Sequence, residues 1–393
     1  MRKWIPLVAI CLGSLLFLID TTAVTVALPD IGRSFAAPLS GLQWVLTVYT
    51  LVLAVLMLPA GSIADRYGHR KVYLAGLGVF LAASFVCGVA PGIEVLIAAR
   101  GVQAVGGAAM AVTTFALIGS CYSGRDRGVA MGIWGAVNGL AAAAGPMLGG
   151  VLTQFWSWRA IFLINLPLVV LTVVATLRIR SADGNRDKKF DLFGLIGLFR
   201  GSSFNAIMVC TGVSASVFAC LVYSSVWLQS TLGLGPVRAG LALVPLALSI
   251  FVTSTLAGRL LHDVTPRIMI SAGLLLAGAG CALQAGLDES STTVSILAGL
   301  VVTGVGVGLV MPSMGGALLG SVAPERFGIA VGAMTTCRQL GQSVGVAVLG
   351  LVYESGVSPA DGLNLVYLTA AVAGFVSSVL GFLLIRKTVG AGV

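Results

Sequence analysis

Twelve long apolar runs constrain this chain more than any motif in it, each near the ~20 residues a helix needs to cross the hydrocarbon core of a bilayer. They lie at 5–28, 42–60, 72–89, 95–118, 128–152 and 161–177, and again at 207–227, 239–261, 268–287, 294–319, 328–353 and 363–385. Only 9% of the 393 residues are charged and 58% are hydrophobic, whereas a soluble chain carries roughly 25% charged residues. No sizeable water-soluble domain fits between the runs. The 52 glycines suit helices that must approach closely in lipid, where water does not drive packing. The expected fold is an all-α polytopic membrane protein of two six-helix bundles, residues 1–177 and 206–393, joined by a cytoplasmic linker at 178–205.

The net charge of +9 is an orientation signal rather than a nucleic-acid footprint. Arg2, Lys3, Arg66, Arg70, Lys71, Arg125, Arg127, the 178–200 stretch, Arg259, Arg267, Arg326, Arg386 and Lys387 all fall on one side of the ladder. The opposite loops hold only Arg33, Arg159 and Arg238, beside Asp30, Glu94, Asp288, Glu289, Glu354 and Asp361. The positive-inside rule then predicts a multi-pass protein of the cytoplasmic membrane with both termini in the cytoplasm. No small-residue cleavage site precedes Asp20, so the first run reads as an uncleaved span. Cys11, Cys87, Cys121, Cys210, Cys220, Cys281 and Cys337 lie in or beside apolar runs without metal-ligand spacing, which points to packing rather than disulfides or a metal site.

The halves repeat weakly. Setting Gly61 on Gly258 brings Arg70 onto Arg267, and setting Gly128 on Gly328 brings Gly145 onto Gly345 and Asn138 onto Arg338. Internal repeats of this kind mark transporters whose two bundles rock about a site near the midplane.

Several motifs carry a family resemblance. Gly61, Asp65, Arg66, Gly68, Arg70 and Lys71 between runs two and three, the stretch from Leu18 through Asp20 to Pro29, Arg100 and Gln103 in run four, and Gly145, Pro146, Gly149 and Gly150 in run five stand in the order found in the major facilitator superfamily. Trp158, Arg159, Asn165 and Pro167 resemble the start of its sixth span. Within the superfamily the chain is similar to the fourteen-helix drug:proton antiporters. It departs from them in places. Thr25 and Ala104 replace a common Asn and Gly; His262, Asp263 and Thr265 stand where Asp65, Arg66 and Gly68 have their counterparts; and Val346 replaces the second Pro. Asp191 to Gly194 resembles the start of the family's seventh helix and Leu198 to Arg200 the approach to its ninth. The residues between reach only ~12 Å as a helix, so either two central helices are missing or a short interfacial connector is native.

The resemblance gives these residues expected roles beside plainer ones. Asp20 is a carboxylate deep in a span, costing ~2.5–3.5 kcal/mol there; burial favours its neutral form, which suits proton coupling, but it could equally be hydrogen-bonded to Thr21, Thr22 or backbone. Arg100 would join the proton relay or serve as packing glue. Gly61, Asp65, Arg66, Gly68 and Arg70 would form a tight cytoplasmic turn and gate, with Asp65 at the N-terminus of span eleven near Gly328, or would anchor topology. Gly145, Pro146, Gly149 and Gly150 would mark an exporter and permit close contact with span eight, or form a passive kink. Trp44, Tyr49, Met110, Asn138, Tyr223, Trp227, Met311, Met314, Met334 and Arg338 would line a substrate cavity, or pack and form interfacial belts.

The function expected is export of small lipophilic drugs or antibiotics, driven by inward proton flow through alternating access in a monomer. Its partners would be the bilayer, the lipophilic substrate and protons, with no nucleic acid. The alternatives are proton-coupled uptake of a metabolite and a transport-inactive truncated homologue. An enzyme is disfavoured because His69 and His262 lie in loops with no nucleophile or metal constellation around them. No cofactor is expected: without a phosphate-binding loop, the proton gradient is the energy source.

Overall fold

The computed structural model describes residues 2–122, 124–178, 197–217, 219–260, 264–288, 290–319, 321–322 and 327–385. Every regular element among them is helical: a short 3-10 turn at Arg2–Trp4, then α1 (Ile5–Phe35), α2 (Leu39–Tyr67), α3 (His69–Gly88), α4 (Ile93–Cys121), α5 (Gly124–Phe155), α6 (Ala160–Leu163) and α7 (Asn165–Thr176). The second half holds α8 (Ser202–Val217), α9 (Cys220–Ser230), α10 (Pro236–Leu260), α11 (Pro266–Gln284), α12 (Thr293–Leu319), α13 (Phe327–Glu354) and α14 (Pro359–Leu384). Each expected apolar run is occupied by helix, with α6 and α7 sharing one run and α8 and α9 another. At ~1.5 Å per residue, the 31 residues of α1 outreach the ~30 Å hydrocarbon core.

Among the described residues, nine spans are long and apolar enough to cross a membrane, or ten if the second half of α5 and the α6–α7 segment, bent by 120°, count as one. α13 is not among them. Arg338, Gln339 and Gln342 at its middle dilute an otherwise apolar helix, so polarity in that span is concentrated where function could use it.

The chain divides into two compact units, Met1–Phe190 with Gly235–Gly240, and Asp191–Leu234 with Leu241–Val393. Residues 179–196, where the expected linker and the question of missing helices fall, lie outside the described residues. α8 begins at Ser202, before the 205 limit expected for that linker.

The same packing scheme builds both units. In the first, α3 pairs with α4, α1 with α5, and α2 with α4. In the second, α11 pairs with α12 and α8 with α13, and Ser254 of α10 donates to Gly308 O of α12 at 3.0 Å. Small residues allow the closest approaches: a methyl on Gly106 would sit 2.6 Å from Gly76 O, and one on Gly273 2.6 Å from Gly306 O. The positions match between halves, so the repeat seen in sequence is a repeat of helix–helix contacts. Leu7, Ile10, Tyr73, Phe80, Met110 and Leu117 share one core, and Phe204, Ile207, Ile270, Leu274, Val310 and Met314 the other. Outward faces stay apolar, with Val55, Leu351 and Leu383 more than half exposed; an apolar exterior on this scale fits lipid and would aggregate in water.

Candidate functional site

The first unit contains a charged centre closed on itself. Asp20 of α1 and Arg100 of α4 are both fully buried. Arg100 Nη1 donates to Asp20 Oδ2 at 2.5 Å and to Gln103 Oε1 at 2.7 Å, and Arg100 Nε reaches Val45 O of α2 at 3.3 Å. Asp20 Oδ1 accepts from Gln103 Nε2 at 2.9 Å and from Asn165 Nδ2 of α7 at 3.1 Å. Ser84 of α3 completes the ring, its Oγ accepting from Gln103 Nε2 at 2.9 Å and Asn165 Nδ2 at 3.4 Å. The guanidinium lies 3.9 Å from the Tyr49 ring centroid, a cation–π contact. Five helices therefore hold one ion pair. Burying such a pair is tolerable only when hydrogen bonds satisfy its remaining valences, as they do here.

Of the two readings open for Asp20, capping by its neighbours is not what the structure contains. Thr21 and Thr22 hydroxyls donate to Phe17 O and Leu18 O of their own helix, and the carboxylate bonds to residues far away in sequence. Arg100 is its ion-pair partner. Tyr49 covers the guanidinium rather than standing apart among cavity residues. Gln103 stands with the arginine motif and Asn165 with the start of the sixth span, neither with a role attached, and the part of Ser84 is not legible. The one signal for Ser84 is a polar side chain interrupting an apolar run.

The cytoplasmic motif differs from the turn expected. Gly61 lies inside α2 with open space around its Cα, so it makes no turn; the connection to α3 is Gly68 alone, at φ 98°, a conformation that favours glycine. Asp65 Oδ1 lies 3.5 Å from His69 Nε2 one turn on, and exposed Arg66 lies over the Tyr67 ring. Arg70 Nη2 donates to Leu177 O at 2.7 Å, just past α7. In the second unit the counterpart of Gly68 is Thr265 at φ −58°, with Pro266 opening α11. Arg267, the counterpart of Arg70, stacks 4.1 Å over Phe382 of α14. Each arginine therefore ties its loop to the last helix of its own unit. His262 and Asp263 lie outside the described residues.

In the five-span motif, Gly145 and Gly149 face α1. A methyl on Gly145 would collide with Thr22 Oγ1, and one on Gly149 would sit 2.5 Å from Ala23 O, two to three residues from Asp20. On another side of α5, a methyl on Gly150 would lie 2.5 Å from Pro236 O, and one on Gly240 2.5 Å from Pro146 O. The first turns of α10 belong to the first unit's contacts. The motif thus packs on α1 as well as on span eight.

The expected cavity residues scatter. Met110 and Met314 are buried in the cores of their own units, where apolar packing outcompetes exposure, and Thr211 Oγ1 donates to the Met314 sulfur at 3.5 Å. Met334 packs against that second core, and Met311 is partly buried. Trp227 is fully buried. Tyr223 donates to Val346 O and stacks on Tyr353 at 5.4 Å. Trp44 is exposed, as interfacial belt residues are, and Asn138 Nδ2 donates to Trp134 O at 2.7 Å. Arg338 is partly buried with no hydrogen bond or ion pair among the described residues.

Known proteins place this scaffold. The sequence model of the Major Facilitator Superfamily matches residues 10–346 and, in a second alignment, 207–392. The multidrug resistance protein Stp of Mycobacterium tuberculosis is 32% identical over 417 aligned positions, covering 90% of this chain and 76% of Stp. The puromycin resistance protein pur8 of Streptomyces alboniger is 31% identical, covering 89% of this chain and 82% of pur8. The methylenomycin A resistance protein of Streptomyces coelicolor is 27% identical, covering 98% and 92%. In structure, a bacterial homologue of the human lysosomal transporter Spinster superposes with a TM-score of 0.79 at 19% identity, over 98% of this chain and 97% of that one. The fold, the repeated packing and the family match across both halves agree: the chain belongs to the major facilitator superfamily, a family of membrane transporters rather than enzymes.

Proposed function

We propose that this protein exports small lipophilic drugs or antibiotics across the cytoplasmic membrane in exchange for protons, by alternating access. The observation that carries proton coupling is the Asp20–Arg100 pair, sealed from solvent and joined to α1, α2, α4 and α7. A proton arriving at Asp20 discharges the pair. Arg100 then loses its counter-charge and Gln103 and Asn165 lose an anionic acceptor, so the lowest-energy packing of α1 against α4 changes with the proton. With the proton gone, the closed network re-forms. A single titration is thereby converted into a change of helix packing, which is what coupling requires.

Export as the direction is supported by the Gly145-Pro146 motif and by relatives named for resistance to puromycin and methylenomycin A and for multidrug resistance. Asp65 acts in the cytoplasmic gate, with Arg66 and Arg70 anchoring the loop. Met311 and Arg338, partly buried, contact substrate. The protein works as a monomer without a cofactor, its termini in the cytoplasm. It descends from fourteen-helix antiporters by loss of a central helical hairpin; in support, the 417 positions aligned with Stp exceed the 393 residues here, so the relative carries residues with no counterpart.

The test is uptake into everted membrane vesicles of puromycin, methylenomycin A and a panel of lipophilic cations and neutral compounds, with and without an uncoupler. Uptake that collapses with the proton gradient in the native protein and is missing in Asp20→Asn is expected. Uptake that survives the uncoupler removes proton coupling, and extrusion from the same vesicles reverses the direction.

A further inference from the structure

Arg100 of α4 and Arg338 of α13 both stand in the middle of spans, and the protein treats them oppositely. Arg100 is closed in by Asp20, Gln103 and the Tyr49 face. Arg338 lies about 16 Å along α13 from its start and about 24 Å from Glu354 at its end, at ~1.5 Å per residue. Its side chain cannot reach either terminus. Among the described residues it makes no hydrogen bond or ion pair, with a carbonyl or with an acid.

The helices packed on α13 in its own unit supply no counter-charge. They are chiefly α8, α14, α9 and α12. α8, α9 and α12 carry no charged residue, and Asp361 of α14 is exposed in the first turn, where Ser358 Oγ donates to it at 3.0 Å. Asp20, the acid deep in a span of the first unit, is committed to Arg100. A guanidinium does not give up its proton inside a protein, so the charge on Arg338 is permanent.

The contacts of α13 fix the side of the helix on which that charge stands. Gly341 and Gly345 face α8: a methyl on Gly341 would collide with Gly212 O, and one on Gly345 would sit 2.8 Å from Ser216 Cα. Leu340, Val344, Val348 and Leu351 are exposed and apolar, the side offered to lipid. Thr335, Arg338 and Gln342, three and four residues apart, form another line. At about 100° per residue it is turned roughly 70° from the α8 contacts and roughly 160° from the lipid side. All three are partly buried. Thr335 Oγ1 spends its proton on Val331 O at 2.8 Å, and Gln342 makes no hydrogen bond among the described residues. A permanent cation and an uncommitted amide therefore share one line, on the side of the helix away from lipid.

We propose that Arg338, assisted by Gln342, binds the acidic group of a lipophilic anion, so that apolar carboxylates, sulfonates and phenolates are a substrate class of the exporter inferred above. Transport of the anion rests on that reading; its binding does not. A planar guanidinium takes a carboxylate or sulfonate through two parallel N–H···O bonds, and the Gln342 amide adds a donor one turn along. The same charge repels cations. An anion leaving the cell and a proton entering it move charge in the same electrical sense, so the membrane potential adds to the pH gradient as a driving force.

The experiment measures binding of 2-naphthoate, naphthalene-2-sulfonate and 4-phenylbutyrate to the full chain in detergent, each beside its uncharged amide, from the dependence of Tm on ligand concentration. At least one acid is expected to bind about tenfold more tightly than its amide. That preference should vanish in Arg338→Gln, persist in part in Arg338→Lys, and stay unchanged in Arg238→Gln, which removes an exposed charge. The comparison of acid with amide on the native protein does not depend on how any variant folds. Acids that bind no better than their amides, or a preference that survives Arg338→Gln, overturn the proposal. Uptake into everted vesicles then separates the two readings. Acid-selective binding without gradient-driven uptake removes the exporter and leaves the anion site; gradient-driven uptake of cations and neutral compounds without acid-selective binding removes the anion site and leaves the exporter.

Discussion

The two polar centres occupy matching places in the two repeats and solve the same problem in opposite ways. In the first unit α4 carries Arg100 into the interior, and the protein surrounds it with Asp20, Gln103, Ser84, Asn165 and the Tyr49 face. In the second, with Gly306 set on Gly106 and Gly273 on Gly76, α12 carries Leu300 in place of Arg100 and α11 carries Cys281 in place of Ser84, and a pocket of about 10 Å³ remains, lined in part by thiols, hydroxyls and one amide. The helix scaffold is common, down to the Gly76–Gly106 and Gly273–Gly306 contacts. The difference teaches that this packing tolerates either a charged centre or a neutral one. The charge in the first unit is therefore not required by the scaffold. It is an addition the scaffold accommodates, which is the pattern expected of a functional group.

That contrast breaks most visibly at Arg100. Arg100→Met leaves Asp20 buried without a counter-charge and is expected to cost about 3–5 kcal/mol, read as a lowered Tm in detergent. Replacing both partners, Asp20→Asn with Arg100→Gln, gives the first unit a neutral centre like that of the second, and most of that loss should return while proton-driven uptake stays absent. If the double variant is no more stable than Arg100→Met alone, the centre is structural after all. Next in size are the close contacts. Gly106→Leu against Gly76 and Gly306→Leu against Gly273 each overpack a helix pair, for about 1–3 kcal/mol. Because the repeat makes these contacts equivalent, their Tm losses should match, and a large inequality would weaken the equivalence of the two halves. Smaller again is Ser84→Ala, which removes an acceptor shared by Gln103 and Asn165 and should cost about 1 kcal/mol. Smallest is the matched change Cys281→Ser, since a thiol is a weak hydrogen-bonding group and a hydroxyl can keep the Thr303 contact. A Tm loss for Cys281→Ser as large as that for Ser84→Ala would show the second centre to be as tightly satisfied as the first.

How much of this was legible follows from the kind of signal each feature leaves. The fold class rests on long apolar runs, and every run is helix. Asp20 and Arg100 stood out because charge inside an apolar run is costly wherever the chain goes. Their meeting did not, because they are far apart in sequence and only the packing of α1 against α4 joins them. Ser84 stayed hidden for the same reason, since a lone serine in a span has many innocuous partners, and Asn165 stood out only as part of the sixth-span motif, without its partner. Gly61 misled because a glycine near a loop reads as a turn, whereas α2 continues through it and Gly68 alone makes the connection. Met110 and Met314 misled because residue type does not say which face of a helix meets the core of its own unit.

By itself the amino-acid sequence determined that the chain lives in a membrane, that it repeats, and that one acid and one arginine in the first half need an explanation. These depend on sums over composition and on the solvation cost of single groups, which each residue carries with it. Tertiary structure alone decided that the acid and the arginine satisfy each other through Gln103, Asn165 and Ser84, that Tyr49 covers the pair, and that Cys220 and Cys281 line one small pocket of the second unit. The identity of a hydrogen-bond partner is a property of how helices dock, and docking is set by shape complementarity between faces that local pattern does not encode.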